Sequence, residues 1–314
     1  MSFTQSSSPE APRPERRLFG VGLMVVSIGF YGLQDLFGKQ LAMDGYAPAQ
    51  ILFFRALGTA LVLLPLIGQV PRGGWITKQP WLMAFRCIIG ATGMACYLIA
   101  FRTMSLVDVS AIGFTGPLIV VVLSTLLFGE HVGWRRWTAI VVGFIGVMVM
   151  LRPGLGVFSV AAAWALGGSM GFAGLTMSLR LLGRTDHPIA VTWTFTLASL
   201  IVLGALQPWF WMAPDMRGYF YLLLQGAMCG GGQVLMTQAL KVAPASTVTP
   251  FTYTIIIYGL VYGYFWFGDT PDPITLIGAV ILIGSCLYIA HRERLHQAAL
   301  TAIPGTAENS RPTL

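Results

Sequence analysis

Apolar stretches close to membrane-spanning length follow one another along the chain, separated by short linkers rich in Pro, Gly and charge. They predict helices near residues 18–41, 47–68, 81–103, 107–128 and 134–152, then near 157–181, 188–211, 218–241, 245–267 and 272–291. About twenty helical residues cross a hydrocarbon core about 30 Å thick. The pattern is written twice. Shifted by 139 residues, Ala100–Glu130 falls on Ala239–Asp269 without a gap. Val109, Phe114, Thr115 and Val122 then meet Val248, Tyr253, Thr254 and Val261, and Arg86 meets Gln225. Five spans per copy force the two copies into opposite orientations, the ground plan of many secondary transporters. The expected fold is therefore an all-α integral membrane protein, with ten transmembrane helices as two inverted five-helix repeats.

The repeats should occupy 18–153 and 154–294, between a disordered, Ser- and Pro-rich tail at 1–17 and a second cytoplasmic tail at 295–314. Composition supports the bilayer as solvent. Of 314 residues, 55% are hydrophobic and 10% charged, with a mean hydropathy of +0.73, whereas soluble domains carry about 25% charge. Charge also orients the spans. Thirteen Lys and Arg fall on the side of the amino terminus and four on the other, with Arg55 and Arg86 inside spans. Both termini are thus expected in the cytoplasm. The net charge of +7 follows from that orientation, with the lipid bilayer and no nucleic acid as its partner. The four cysteines lie in apolar segments without CxxC spacing and read as packing residues.

Charges inside spans are costly unless they are paired or face water. Asp35 and Lys39 stand four residues apart near the outer end of the first span, and Arg55 lies at a similar depth in the second. An Asp35–Arg55 pair with Lys39 competing is expected. It is either a static bridge or a gating element, and Asp35 is alternatively a proton-coupling carboxylate. Arg86 either binds a polar solute group or snorkels to headgroups. Its repeat partner, Gln225, is polar too, which favours an inward-facing position for both. Pro117 and Pro250 interrupt the fourth and ninth segments beside the matched pairs Phe114/Tyr253 and Thr115/Thr254. Thr115, Tyr253 and Thr254 are candidate cavity residues, the alternative for each Thr being a bond to its own helix. Tyr97 and Trp193, with Tyr31 and Trp164, are aromatics at depth, and Gln233 adds hydrogen-bonding capacity. Trp134, Trp137, Trp209 and Trp211 belong to interface belts. Small-residue pairs such as Gly167/Gly171 and Gly226/Gly230 predict close helix packing. The run Gly230–Gly232 marks either such packing or a bend.

Several of these stretches resemble the EamA-type branch of the drug/metabolite transporter superfamily. They are Gln34-Asp35…Lys39 with FFRALGTALVLLP, FGEHVGWRRW…GFIGVMVMLRPG, and APASTVTPFTYT…FGDTPD. The resemblance spans residues 18 to about 294 as two EamA repeats. It implies ten helices, cytoplasmic termini, a central cavity between the repeats and no bound cofactor. The phrasing is similar to bacterial riboflavin and S-adenosylmethionine carriers, and the family also holds amino-acid and metabolite exporters. No substrate motif matches residue by residue. The expected function is a secondary transporter that moves a small organic metabolite across the bacterial inner membrane by alternating access. Uptake of riboflavin or S-adenosylmethionine, and export, remain open. An intramembrane enzyme is disfavoured: all four histidines lie in loops or at helix ends, and HExxH, GxSxG and GxxxxGK[ST] are absent. The oligomeric state has no sequence signal.

Overall fold

The computed structural model describes residues 14–69, 77–128, 134–151, 160–182, 185–186, 188–243, 248–270, 272–274, 276–281, 283–285, 287–288 and 291. The regular elements among them are helical. The first half contains α1 (Pro14–Met43), α2 (Pro48–Leu63), α3 (Pro80–Phe101), α4 (Leu106–Gly113), α5 (Thr115–Phe128) and α6 (Trp134–Leu151). The second contains α7 (Val160–Leu182), α8 (Pro188–Phe210), α9 (Met216–Val242), a 3-10 turn at Thr249–Thr254, α10 (Ile255–Tyr262) and a π turn at Gly263–Phe267. A last apolar helix runs over Leu276–Ser285. Each of the ten predicted segments has a helical counterpart. α1 starts at Pro14, earlier than expected, while residues 1–13 and the carboxy-terminal tail lie outside the described residues.

Five stretches are long and apolar enough to cross a bilayer: Leu18–Met43, Pro80–Phe101, Leu106–Leu126, Val160–Leu182 and Ala190–Phe210. Pro48–Leu63, Trp137–Gly146, Phe251–Phe267 and Leu276–Ser285 are shorter apolar helices. At 27 residues α9 is long enough, but Gln225, Gln233, Gln238 and its glycines make it more polar. Its position explains this, because α9 packs extensively on both α1 and α2 and shows lipid little of its surface there. Helix starts follow local chemistry. Pro48 and Pro80 open α2 and α3, where no intrahelical N–H bond is lost. Ser105 and Asp215 cap α4 and α9 by accepting from the backbone N–H of Asp108 (3.1 Å) and Gly218 (2.7 Å).

The two most extensive contacts between halves form a matched pair. α1 packs on α9 and α3 packs on α7, and the 139-residue repeat converts one pairing into the other. The repeat mates Phe114 and Tyr253 meet ring to ring, with centroids 4.9 Å apart. Two such residues touch only if they lie beside the axis that relates the halves. Burial matches as well: Ala100 and Ala239 are both fully buried, as are Val109 and Val248. Glycines set the tightest approaches. A Cβ on Gly93 would lie 2.7 Å from Gly171 Cα, and one on Gly58 would lie 2.6 Å from Gly226 Cα. The run Gly230–Gly232 serves packing: α9 continues unbroken through it, against Val62, Phe30 and Tyr31.

The fourth and ninth segments change helical form within a residue of matching positions: α4 and α5 are separated at Phe114, and the 3-10 turn gives way to α10 after Thr254, the repeat mate of Thr115. The outer faces carry exposed Ile88, Val141, Ile145, Ile201, Val202, Ile257, Phe265 and Val280, a surface suited to acyl chains. Trp134, Trp137, Trp209 and Trp211 are exposed near helix ends as expected. Trp164 is also exposed, which removes it from the interior aromatics.

Candidate functional site

α1, α2, α3 and α9 bring one polar cluster together inside the bundle. Tyr31 donates through Oη to Gln233 Oε1 at 2.9 Å. One turn further along α1, Asp35 Oδ1 accepts from Gln34 Nε2 at 2.9 Å. From α2, Arg55 donates through Nε to Cys229 Sγ (3.3 Å) and through Nη1 to Met94 Sδ (2.9 Å). Tyr97 Oη lies 3.2 Å from Ser169 Oγ. Tyr31, Asp35, Arg55 and Tyr97 are half-buried. Gln225 is 1% exposed and faces α1, its amide nitrogen 3.3 Å from where a Cβ on Gly38 would stand.

The expected Asp35–Arg55 ion pair is not formed. The two groups are within electrostatic reach, but no nitrogen–oxygen distance falls within 4.0 Å. Lys39 does not compete for Asp35 either. Its Nζ pairs with Asp269 Oδ2 at 2.5 Å and sits 4.3 Å from the Phe267 ring centroid. Asp269 reaches it from the other half of the chain, a partner that spacing within the first two helices does not reveal. Beside this pair Trp266 Nε1 donates to Gln40 Oε1 at 3.1 Å. Gln50 clamps Met212 in both directions, Nε2 to the carbonyl at 2.8 Å and backbone N–H to Oε1 at 3.0 Å. All three contacts tie the first half to the second at the α1–α2 turn end of the bundle.

Other candidates lie elsewhere. Arg86 holds α3 to α7, donating through Nη1 to the Leu175 carbonyl (2.5 Å) and Ser178 Oγ (3.2 Å), with the Phe195 ring 5.1 Å away. Arg86 thus bears on α7 as its repeat mate Gln225 bears on α1, and it neither snorkels nor joins the Asp35 cluster. Trp193 is 3% exposed, packed with Ala60 and Leu63, and its Nε1 has no partner among the described residues. The hydroxyls of Thr115 and Thr254 return to the carbonyls of Ile112 and Phe251, each at 2.7 Å. These acceptors are themselves repeat mates, so both copies use one device at the helix interruption. Fully buried, Thr115 has no surface to offer a cavity. Thr254 and Tyr253 keep partial exposure, Tyr253 beside Phe114.

At the opposite end, Asp186 in the α7–α8 linker accepts from Thr77 Oγ1 at 2.5 Å and from the Lys78 backbone N–H at 3.2 Å. Slight burial pushes its carboxyl up, but these hydrogen bonds outweigh that and hold it below its ordinary value.

Sequence reasoning missed Met94, Cys229, Ser169 and Asp269 as site neighbours. Cys229 and Met94 look like ordinary apolar filling, and no local signal marks a sulfur as the acceptor for a buried guanidinium. Asp269 was visible only as the repeat mate of Glu130, in a linker; Glu130 lies outside the described residues.

Comparison with known proteins agrees with this architecture. The model of the EamA-like transporter family matches residues 18–152 and again 159–290. The S-adenosylmethionine uptake transporter of Rickettsia conorii is 24% identical over 88% of this chain and 94% of its own. The pseudopaline exporter CntI of Pseudomonas aeruginosa is 27% identical over 88% and 97%. The riboflavin transporter of Rhizobium johnstonii is 24% identical over 90% and 94%. A protein of known crystal structure, 14% identical, shares the fold with a TM-score of 0.58 over 88% of this chain and 98% of its own. Two matches of the family model, one to each half of a helical bundle with apolar outer faces, place this chain in the EamA-like transporter family.

Proposed function

We propose that this chain is a secondary carrier of the bacterial inner membrane that moves a small organic solute by rocking its two halves about the Asp35–Arg55 cluster. The observation that carries this reading is a set of half-buried polar side chains inside the bundle, held by helices of both halves. Such a site at the junction of two related halves suits alternating access. The excess of Lys and Arg on the amino-terminal side supports cytoplasmic termini. In that orientation Lys39–Asp269, Trp266–Gln40 and Gln50–Met212 close the outer mouth, and Lys39 acts as a gate. Relatives named for S-adenosylmethionine uptake, pseudopaline export and riboflavin transport support an organic solute over an inorganic ion.

Reconstitution into proteoliposomes tests the proposal. Uptake or counterflow of a labelled solute that also raises the melting midpoint is the expected result. Binding without translocation under any imposed gradient overturns the carrier reading.

A further inference from the structure

We infer that the groove between α6 and the last helix, Leu276–Ser285, binds an anionic phospholipid, with an acyl chain in the groove and the phosphate held toward Arg135 and Arg136 at its end. The site is separate from the polar cluster and stands whether or not the chain is a carrier.

The two helices touch closely at one level and part on the outer side of it. Ser285 donates through Oγ to the Ala139 carbonyl, and a Cβ on Gly143 would stand 2.9 Å from Ser285 Oγ. Outside this contact lies an open groove of about 440 Å³. Gly284 leaves one wall bare: it is exposed, and a Cβ there would meet nothing within 4 Å. The lining is graded. Val142, Val280 and Ile281 make one end apolar, while Thr138 and Tyr288 bring hydroxyls to the other. Alternating spans run the two helices in opposite directions. Thr138, near the start of α6, and Tyr288, one turn past Ser285, therefore share a level.

Positive charge continues the polar end. Arg135 stands three and four residues before Thr138 and Ala139, a spacing that puts it on the same row of α6. Arg136 follows it, and beyond Tyr288 the sequence reads His291, Arg292, Glu293, Arg294. With Glu130 before α6 included, the two stretches carry four arginines against two carboxylates, an excess that favours an anion. Trp134 and Trp137, both exposed in the same turn of α6, mark the headgroup level. A phospholipid has the same order of parts: charge, then polar linkage, then hydrocarbon.

An apolar groove open to the bilayer is filled by an acyl chain, since a void forfeits contacts and water finds few partners there. The chain supplies fit but little driving force, because lipid tails are as apolar as the groove. Selection therefore falls on the headgroup, and arginines near the membrane surface favour an anionic one. A second copy of the chain suits this face less well. Two-fold pairing through it would set both copies' Arg135 and Arg136 against each other.

Native mass spectrometry of the purified full chain in detergent tests the site. The probes are phosphatidylglycerol, phosphatidylcholine with the same acyl chains, and glycerol 3-phosphate. Phosphatidylglycerol is expected to bind at least about fivefold tighter than phosphatidylcholine, the worth of one arginine near a headgroup. Glycerol 3-phosphate, a headgroup without chains, should show no binding. Arg135→Gln combined with Arg136→Gln should erase the preference between the lipids. Gly284→Phe fills the groove from open space and should weaken phosphatidylglycerol binding at least about fivefold. Its melting midpoint in lipid-free detergent should match the parent. If that variant fails to fold, Val280→Trp, at an exposed position, takes its place. Equal binding of the two lipids, glycerol 3-phosphate binding as tightly as the lipid, or parent-like lipid binding by the groove-filling variant overturns the site. A dimer that the groove-filling variant dissociates, with lipid preference unchanged, also overturns it and assigns the face to a second copy.

Discussion

α1 and α2 of the first half and α7 and α8 of the second are the same structural pieces, yet they carry different chemistry. Asp35, Lys39 and Arg55 correspond by the repeat to Gly174, Ser178 and Thr194. The partner helices are also used unequally: α2 packs heavily on α9, while α8 touches α3 only lightly. The shared features are backbone features, namely glycine-lined crossings, interrupted helices and hydroxyls returned to carbonyls. The unshared ones are charges. A repeat of this kind therefore builds a symmetric scaffold whose interior charges come mainly from one half.

The largest expected effect attacks the shared scaffold. Gly93→Leu forces a side chain into the backbone of Gly171 and should lower stability by at least about 2 kcal/mol. Gly259→Ala, where an added Cβ meets nothing closer than 3.7 Å, should be neutral or stabilising by up to about 1 kcal/mol. Gel filtration after graded heating ranks the two, and equal melting would show that the α3–α7 crossing is loose. Next comes the asymmetry itself. Arg55→Gln should cut solute uptake at least about tenfold, and Thr194→Ala at the matching place in α8 should leave it within about twofold. Equal losses in proteoliposomes would erase the distinction between the halves.

A smaller effect concerns the Lys39–Asp269 pair proposed as a gate. Lys39→Ala should reduce transport by roughly three- to tenfold, and Lys39→Asp combined with Asp269→Lys should recover most of it. No recovery would show that Lys39 acts through some contact other than its ion pair. The smallest effect lies outside the spans, at Asp186. Its carboxyl is held below the ordinary value of 3.8 in the folded chain. The stabilisation is thus complete above that value and fades as pH falls through the folded one. The midpoint difference between the parent and Asp186→Asn should be constant near neutral pH and shrink below about pH 4. A difference that grows on acidification contradicts the hydrogen-bonded carboxylate.

The helical segments and their doubling were legible because hydrophobic length and repetition are one-dimensional properties. The repeat aligned Phe114 with Tyr253, but that their rings touch came only from the structure. Asp35 and Arg55 stood out as interior charges whose depth could be counted along a helix. What they bond to was not legible. The choice between Asp35 and Asp269 as the partner of Lys39 is made across 230 residues of chain, where spacing within a helix says nothing. Arg86 and Trp193 show the same limit, for depth in a span does not tell whether a side chain faces a cavity or a neighbouring helix.

The sequence by itself therefore determined the solvent, the helices and the two-copy plan, because burying backbone in lipid leaves few alternatives to apolar helices of fixed length. Only the tertiary structure decided which polar groups meet, which glycines touch and which charges stay apart. Those outcomes depend on helix rotation and on contacts between distant segments, and a change of one residue in facing direction turns a binding group into a packing group.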